Sequence, residues 1–343
     1  MAVVLTIETT CDETAAALVT DEFVVLGSVV ASQDKLHERY GGVVPEVASR
    51  VHFERILPVI DLVFFESGVN IFSIDAVAVA NMPGLAGSLL VGLSAAKSLA
   101  LALGKPLIAI NHLQAHIYAC KISSGVDPFP CLGLIISGGH TSIYYCADAI
   151  NFELLGGTMD DAVGEAFDKV AAMLNLPYPG GPSIERAAVG GDVSAYNFPR
   201  SLLNESDRIG FSFSGLKTAV RYCLVGNGGS GNPAEVAAKL PNTEIANIAA
   251  SFQEAAVDAL VGKTLQAMTK SGVRTLCVGG GVAANGRFRK KIQEVTQKQN
   301  YNLFIAPPNL CTDNAIMGAI AIERYKRGLF ESLDLNVSPG LIR

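Results

Sequence analysis

The chain contains no tryptophan and few other aromatics, and only 17% of its residues are charged. The exposed polar face is therefore modest, and a buried interface with a second copy or a partner is expected. None of the seven cysteines forms a CxxC pair. An odd, unpatterned set of this kind points to reduced thiols in an intracellular protein, not to a disulfide framework. The N-terminal MAVVLTIETT lacks the basic segment and long apolar core of a secretory signal. The glycine run that follows the strand expected from 275 is not a GxGxxG, so no dinucleotide-binding site is read there. No Ser-His-Asp or Cys-His spacing marks an activated nucleophile. The net charge of −6 argues against broad nucleic-acid binding by the isolated chain. Residues 76–96 carry no charge, but Asn81, Met82-Pro83-Gly84 and Gly87-Ser88 interrupt them. A strand, a tight loop and a small-residue helix fit this stretch better than a membrane span.

What is present is ample apolar material. Half of the 343 residues are hydrophobic, enough for about two domains. Two segments share one form. VVLTIETTCDETAAALV (3–19) and CLGLIISGGHTSIYYCA (131–147) each run apolar strand, polar turn, apolar strand, which predicts two hairpins. Each turn offers hydroxyls and backbone N–H groups suited to an anion such as phosphate. The repetition predicts a duplicated fold with a ligand between its halves. A third element, TLCVGGGVAANGRFRKKIQEV (275–295), is a strand running through glycines into a helix. Helices are expected at 46–66, 89–103, 158–175, 182–190, 244–270 and 313–327, and an exposed mobile loop at 226–233. The alternation gives an α/β class.

The richest chemistry is in NHLQAHIYA (111–119), read as helix. His112 and His116, two of only five histidines, stand four residues apart, so they share a face and can bind one transition metal. Two buried, hydrogen-bonded helix histidines would read the same way. Asp313 is either a helix cap or an oxygen donor completing a two-histidine, one-carboxylate site for iron or zinc. In TMDDAVGEAFDKVAAMLNL (158–176), Thr158 is expected to cap a helix. Its core stripe is Val163, Phe167, Val170 and Leu174. Asp161, Glu165 and Asp168 form an acidic stripe, either solvated or facing a ribose or metal. Pro-Gly-Gly-Pro (179–182) reads as a rigid turn. Arg287, Arg289, Lys290 and Lys291 form a local basic cluster, most simply a solvated helix face.

Together, IETTCDET, YGGVVPEVASRVHFERI, PGLAGSLLVGLSAAKSLA, NHLQAHIYA, ISGGHT, DDAVGEAFDKVA, YPGGPSIE, FSFSGLKTAV, GGGVAAN and CTDNAIMGA resemble the TsaD family, the tRNA adenosine threonylcarbamoyltransferases, in its bacterial or organellar branch. The resemblance implies the actin/Hsp70/sugar-kinase fold, with two related lobes around a nucleotide cleft. The lobes are expected at 1–110 and 111–343, with the last helix packing back on the first. It implies that His112, His116 and Asp313 are catalytic and hold a divalent metal, iron(II) first and zinc(II) second. It places substrate contacts at Ile135, Ile136, Ser137, Gly138 and Gly139, at Asp168, Gly181, Glu185 and Asn285 for the adenylate's sugar and base, and at Asp12 and Glu13 in the first phosphate turn. Where the family usually has Gly-Pro-Gly, this chain has Asn81-Met82-Pro83-Gly84, and position 185 carries Glu where Asp is common.

The expected activity is transfer of threonylcarbamoyl from threonylcarbamoyl-adenylate to N6 of the adenosine 3′ of the anticodon in ANN-decoding tRNAs. It forms t6A and releases AMP in the cytoplasm, with an ATP- or AMP-type nucleotide in the cleft. His140 is a candidate base for N6, or a turn histidine bonded locally. The family's partners are a TsaB-like paralogue, a TsaE-like ATPase and a TsaC-like enzyme that supplies the adenylate; organellar relatives act as homodimers. Two other readings stand beside this one: a nucleotide-binding scaffold without chemistry, and a metalloendopeptidase. The second lacks the glutamate that a zinc-protease helix places between its histidines, since Leu113, Gln114 and Ala115 stand there.

Overall fold

The computed structural model describes residues 1–205 and 207–340. Positions 341–343, within the expected second lobe, lie outside the described residues. The chain divides into two compact units. The first holds Met1–Asp127, Ala147–Asn151 and Thr312–Arg343, and the second Pro128–Cys146 and Phe152–Cys311.

In the first unit, β1 (Val3–Glu8), β2 (Glu13–Thr20) and β3 (Val25–Ser32) are followed by a short α1 (Asp34–Glu38) and the long α2 (Pro45–Ser67). Then come β4 (Ala76–Met82), α3 (Ala86–Leu103), β5 (Leu107–Asn111) and α4 (His112–Ser124). The sheet order is β3-β2-β1-β4-β5. β1 pairs antiparallel with β2 and parallel with β4, and β4 pairs parallel with β5. β1 is buried along its whole length and β2 along nearly all of it, which is why they read as continuous apolar runs and not as alternation. Leu5, Ile7, Leu18, Val77 and Val79 meet Ile56, Val59, Ile60 and Val63 of α2 in one core. α3 passes the length and hydropathy test for a membrane span. It nonetheless turns Leu89, Gly92, Leu93, Ala96 and Ala100 inward, and packs on α2 and β4.

The second unit repeats this pattern. β6 (Cys131–Ile136), β7 (Thr141–Cys146) and β8 (Phe152–Gly157) precede α5 (Val163–Met173), α6 (Gly180–Ala187), α7 (Ser214–Val225), α8 (Pro233–Ala237) and α9 (Asn242–Ser271). They are followed by β9 (Thr275–Gly279), α10 (Gly286–Lys298), β10 (Asn302–Ile305) and α11 (Pro308–Cys311). The order β10-β9-β6-β7-β8, antiparallel at β6–β7–β8 and parallel at β6–β9–β10, matches the first sheet strand for strand. Both predicted hairpins form, and the duplication is visible in the topology.

Asn111 ends β5 and at once caps α4, accepting from the Leu113 and Gln114 amides. Two local expectations change. The helix expected from 158 begins at Val163. Thr158 instead donates its hydroxyl to the Asp161 carbonyl, holding 158–161 as a turn. The stretch 313–327 is not one helix: a 3-10 turn, Ile316–Ile320, precedes helix Ala321–Lys326, and just before it Asn314 Oδ1 accepts from the Met317 amide.

Candidate functional site

The first unit gathers His112, His116 and Asp313. Helix geometry sets the two imidazoles on one face of α4, with ring centroids 4.5 Å apart and nearly perpendicular. Asp313 Oδ1 lies 3.4 Å from His112 Nε2 and 3.2 Å from His116 Nε2. Bonds of about 2.1 Å to a tetrahedral ion separate its ligands by about 3.4 Å, so Asp313 already stands at coordination spacing from both histidines, and all three donor atoms lie within 4.8 Å of one another. His116 is wholly buried, and among the described residues neither of its ring nitrogens has a hydrogen-bond partner of normal geometry, Asp313 standing beside Nε2 as an ion-pair neighbour. Such a group costs about 1–3 kcal/mol unless something else satisfies it, and a cation would do so. The residues fit a divalent metal.

The electrostatics separate the two histidines. Burial opposes the charge on His112, but Asp313 and then Glu8 outweigh it and push this imidazole up to about 9. Burial and the neighbouring His112 push His116 below its ordinary value. One site proton is therefore held, and it sits on His112.

The turn after β1 lies against this group. Glu8 Oε2 and Thr10 Oγ1 each lie 3.1 Å from His112 Nδ1, while Glu8 Oε1 accepts from the Thr10 amide at 2.7 Å. His52 of α2, fully buried, bonds the Cys11 carbonyl at 2.9 Å and the Thr14 hydroxyl at 2.8 Å. The Thr10 carbonyl accepts from the Leu85 amide, and a Cβ at Gly92 would stand 2.2 Å from Thr9 Oγ1. The altered Asn81–Gly84 loop is thus anchored, with Gly84 donating to the Pro339 carbonyl and Asn81 Nδ2 to the Asn336 carbonyl. Asp12 and Glu13 fall near Asp34, their carboxyls raised chiefly by burial, with the charge of Asp313 adding to the effect.

The second unit holds the other expected contacts. Ile135 and Ile136 are buried strand residues paired to Ser142 and Thr141, so they set the register of the following turn and present no exposed side chain. In that turn the Ser137 amide donates to the His140 carbonyl, and the His140 amide to the Ser137 hydroxyl. Gly138 and Gly139 are exposed, with open space where a side chain would be. The start of α5 is pressed onto the turn: Gly164 donates to the Ser137 carbonyl, and a Cβ there would lie 2.6 Å from it. An exposed glycine backbone beside a helix N-terminus suits an anion.

The acidic stripe does not act as one face. Asp161 pairs with Lys169 and Lys217, Glu165 pairs with Lys169, and Asp168 accepts from the Gly180 amide at 2.7 Å. Pro179-Gly180-Gly181-Pro182 opens α6, and is not a free turn. Glu185 accepts from the Gly286 amide at 2.9 Å. Asn285 gives its Nδ2 to Gln253 and Glu185 and caps α10 at the Phe288 amide. The basic cluster is largely paired, Arg287 with Glu254 and Lys291 with Glu254 and Asp258, while Arg289 donates to the Ala306 carbonyl. Sequence reasoning missed Glu8, His52 and Gln253. A carboxylate ending an otherwise apolar strand was the available signal for Glu8; Gln253, within a long mixed helix, gave none.

The family model for tRNA N6-adenosine threonylcarbamoyltransferase (TsaD) matches residues 24–320. The chain belongs to this family. A tRNA N6-adenosine threonylcarbamoyltransferase of Rhodopirellula baltica is 51% identical over 350 residues, covering 99% of this chain and 97% of that one. Its counterpart in Kosmotoga olearia is 47% identical, covering 98% of each. Among solved structures, full-length HypF in its phosphate- and nucleotide-bound form superposes with TM-score 0.63 at 14% identity, over 96% of this chain and 47% of HypF. Component A of Acidaminococcus fermentans (R)-2-hydroxyglutaryl-CoA dehydratase gives 0.55 at 12%, over 95% and 100%. At such identities these two show the fold, a mixed α/β architecture with two five-stranded sheets, and no more.

Proposed function

We propose that this chain transfers the threonylcarbamoyl group of threonylcarbamoyl-adenylate to N6 of the adenosine 3′ of the anticodon in ANN-decoding tRNAs. The observation that carries the reading is the convergence of His112, His116 and Asp313 in a chain related to this family over nearly its full length. In the reaction, the N6 lone pair forms a bond to the carbamoyl carbon. The bond from that carbon to the phosphate oxygen breaks, AMP leaves with the electron pair, and the proton lost from N6 passes to the departing phosphate or to water.

His112, His116 and Asp313 hold the divalent metal, iron(II) or zinc(II). When bound, it supplies Lewis-acid polarisation and positive charge. Exposed amides at Gly138 and Gly139 offer hydrogen bonds to the phosphate or to charge developing on the carbonyl oxygen. Asp168, Gly181, Glu185 and Asn285 are assigned to the sugar and base of the adenylate. Asp168 and Glu185 each spend one oxygen on a backbone amide, Gly180 and Gly286 respectively, which orients the rest of the carboxylate. Asp12 and Glu13 line the first phosphate turn. Holding N6 against the carbamoyl carbon can itself supply roughly 7–11 kcal/mol, so no side-chain base is required, and His140 serves the turn through its backbone. The net charge of −6 favours sharing the grip on tRNA, with a TsaB-like paralogue and TsaE-like ATPase or with a second copy.

The test supplies purified protein with threonylcarbamoyl-adenylate and unmodified tRNA, alone and with candidate partners, and reads the digested nucleosides by mass spectrometry. Modified adenosine is expected, and its loss in His116→Ala. Formation by the protein alone indicates the homodimer; formation only with partners indicates the larger assembly. No product in either condition from metal-loaded protein refutes the transferase reading and leaves the scaffold.

A further inference from the structure

We infer that Glu8 is a positioning residue for the metal, holding His112 in the single orientation and tautomer that presents Nε2 to the ion. The inference rests on the metal reading above and goes beyond it. Glu8 closes β1 and is only 3% exposed, as deeply placed as the apolar residues before it. An ionised carboxylate accepts hydrogen bonds and donates none. Its Oε2, 3.1 Å from His112 Nδ1, therefore requires the proton on Nδ1. The Nε2 lone pair is then free on the side where Asp313 and His116 lie. Thr10 Oγ1, also 3.1 Å from Nδ1, secures the ring from a second direction.

The other oxygen has a separate task. Oε1 accepts from the Thr10 backbone amide at 2.7 Å, so one carboxylate ties the ligand's orientation to the conformation of the 9–12 turn. Charge balance supports the arrangement. Two carboxylates, the partly buried Asp313 as ligand and the buried Glu8 behind His112, offset the two positive charges of a divalent ion. The pair raises the ligand strength of the imidazole, as carboxylates behind metal-bound histidines do. Glutamine cannot reproduce this. Its amide has one accepting atom for the two N–H groups that meet Glu8, so either His112 or Thr10 would face an opposing donor.

Two measurements on the full chain test it. The first is zinc(II) affinity of metal-stripped protein, by competition with a chromophoric chelator, for wild type, Glu8→Gln, Thr10→Val and His116→Ala. Glu8→Gln should bind zinc about 10–100-fold more weakly, Thr10→Val less so, and His116→Ala most weakly of all. The second needs no variant: long-range proton–nitrogen NMR of zinc-loaded wild type should show His112 protonated at Nδ1 and metal-bound at Nε2. Affinity of Glu8→Gln within twofold of wild type, or His112 bound through Nδ1, overturns the role of Glu8 while leaving the metal site intact. Wild-type protein without affinity for zinc or iron overturns the metal reading itself, and this inference with it.

Discussion

In metal-free protein, raising the pH from about 7 to 10 should cost stability through His112, and the His112→Gln variant should be spared that loss. The imidazole is buried between two carboxylates, 3.1 Å from Glu8 and 3.4 Å from Asp313. Its folded value is raised from 6.5 to about 9. The sign follows: the stabilisation is complete below about 6.5, where folded and unfolded states both carry the proton, and is lost as pH rises through about 9. At about 1.36 kcal/mol per pH unit the difference amounts to about 3 kcal/mol. His116, pushed down by burial, stays neutral throughout, so one proton is at stake. For a unit of roughly 150–250 residues, 1 kcal/mol moves Tm by about 2–4 °C, which predicts an extra fall of about 6–12 °C in wild type. Scanning calorimetry in chelator, on both proteins at each pH, reads it directly, since other titrating groups cancel between them. A bound cation displaces the Nε2 proton, so zinc affinity should rise about tenfold per pH unit up to about 9. Parallel melting curves for wild type and variant across the range would refute the placement of the charge on His112.

Gly164→Ala should destabilise the second unit by about 1–3 kcal/mol, because its Cβ would stand 2.6 Å from the Ser137 carbonyl oxygen and 2.7 Å from Gly138 Cα. Denaturant unfolding checks the stability, transfer should fall, and zinc affinity should hold, since the metal ligands lie in the other unit. Glu254, held at about 2 by Arg287 and Lys291 against the opposing effect of burial, contributes stability that is present above about 4.5 and lost as pH falls towards 2. Glu254→Gln should lose about 1–3 kcal/mol at neutral pH and flatten the acid limb of the stability–pH curve. Lys263 is fully buried and gives its ammonium to the Glu205 and Arg208 carbonyls and to Gln266 Oε1. Lys263→Met should cost about 2–4 kcal/mol by stranding those acceptors, measured by urea unfolding.

Much of this molecule is legible in one dimension wherever a short-range period decides. The i, i+4 spacing of His112 and His116 fixes a shared helix face before any fold is known. The two strand–turn–strand segments announce two hairpins, because apolar runs broken by turn residues have few other solutions. The stripe Val163, Phe167, Val170 and Leu174 is buried as its spacing requires. What the sequence left open are the long-range meetings. Asp313 lies about two hundred residues beyond the histidines, and only the return of the C-terminal segment to the first unit sets it beside them. Glu8 reads as the polar end of a strand until β1 brings it under His112. Asp161 and Asp168 share a stripe in sequence yet part in space, because Lys217 claims one and the Gly180 amide the other. Local periodicity follows from backbone geometry and is written in every few residues; the pairing of buried polar groups depends on which distant donors and acceptors the packed core brings within about 3 Å, and that only the tertiary structure decides.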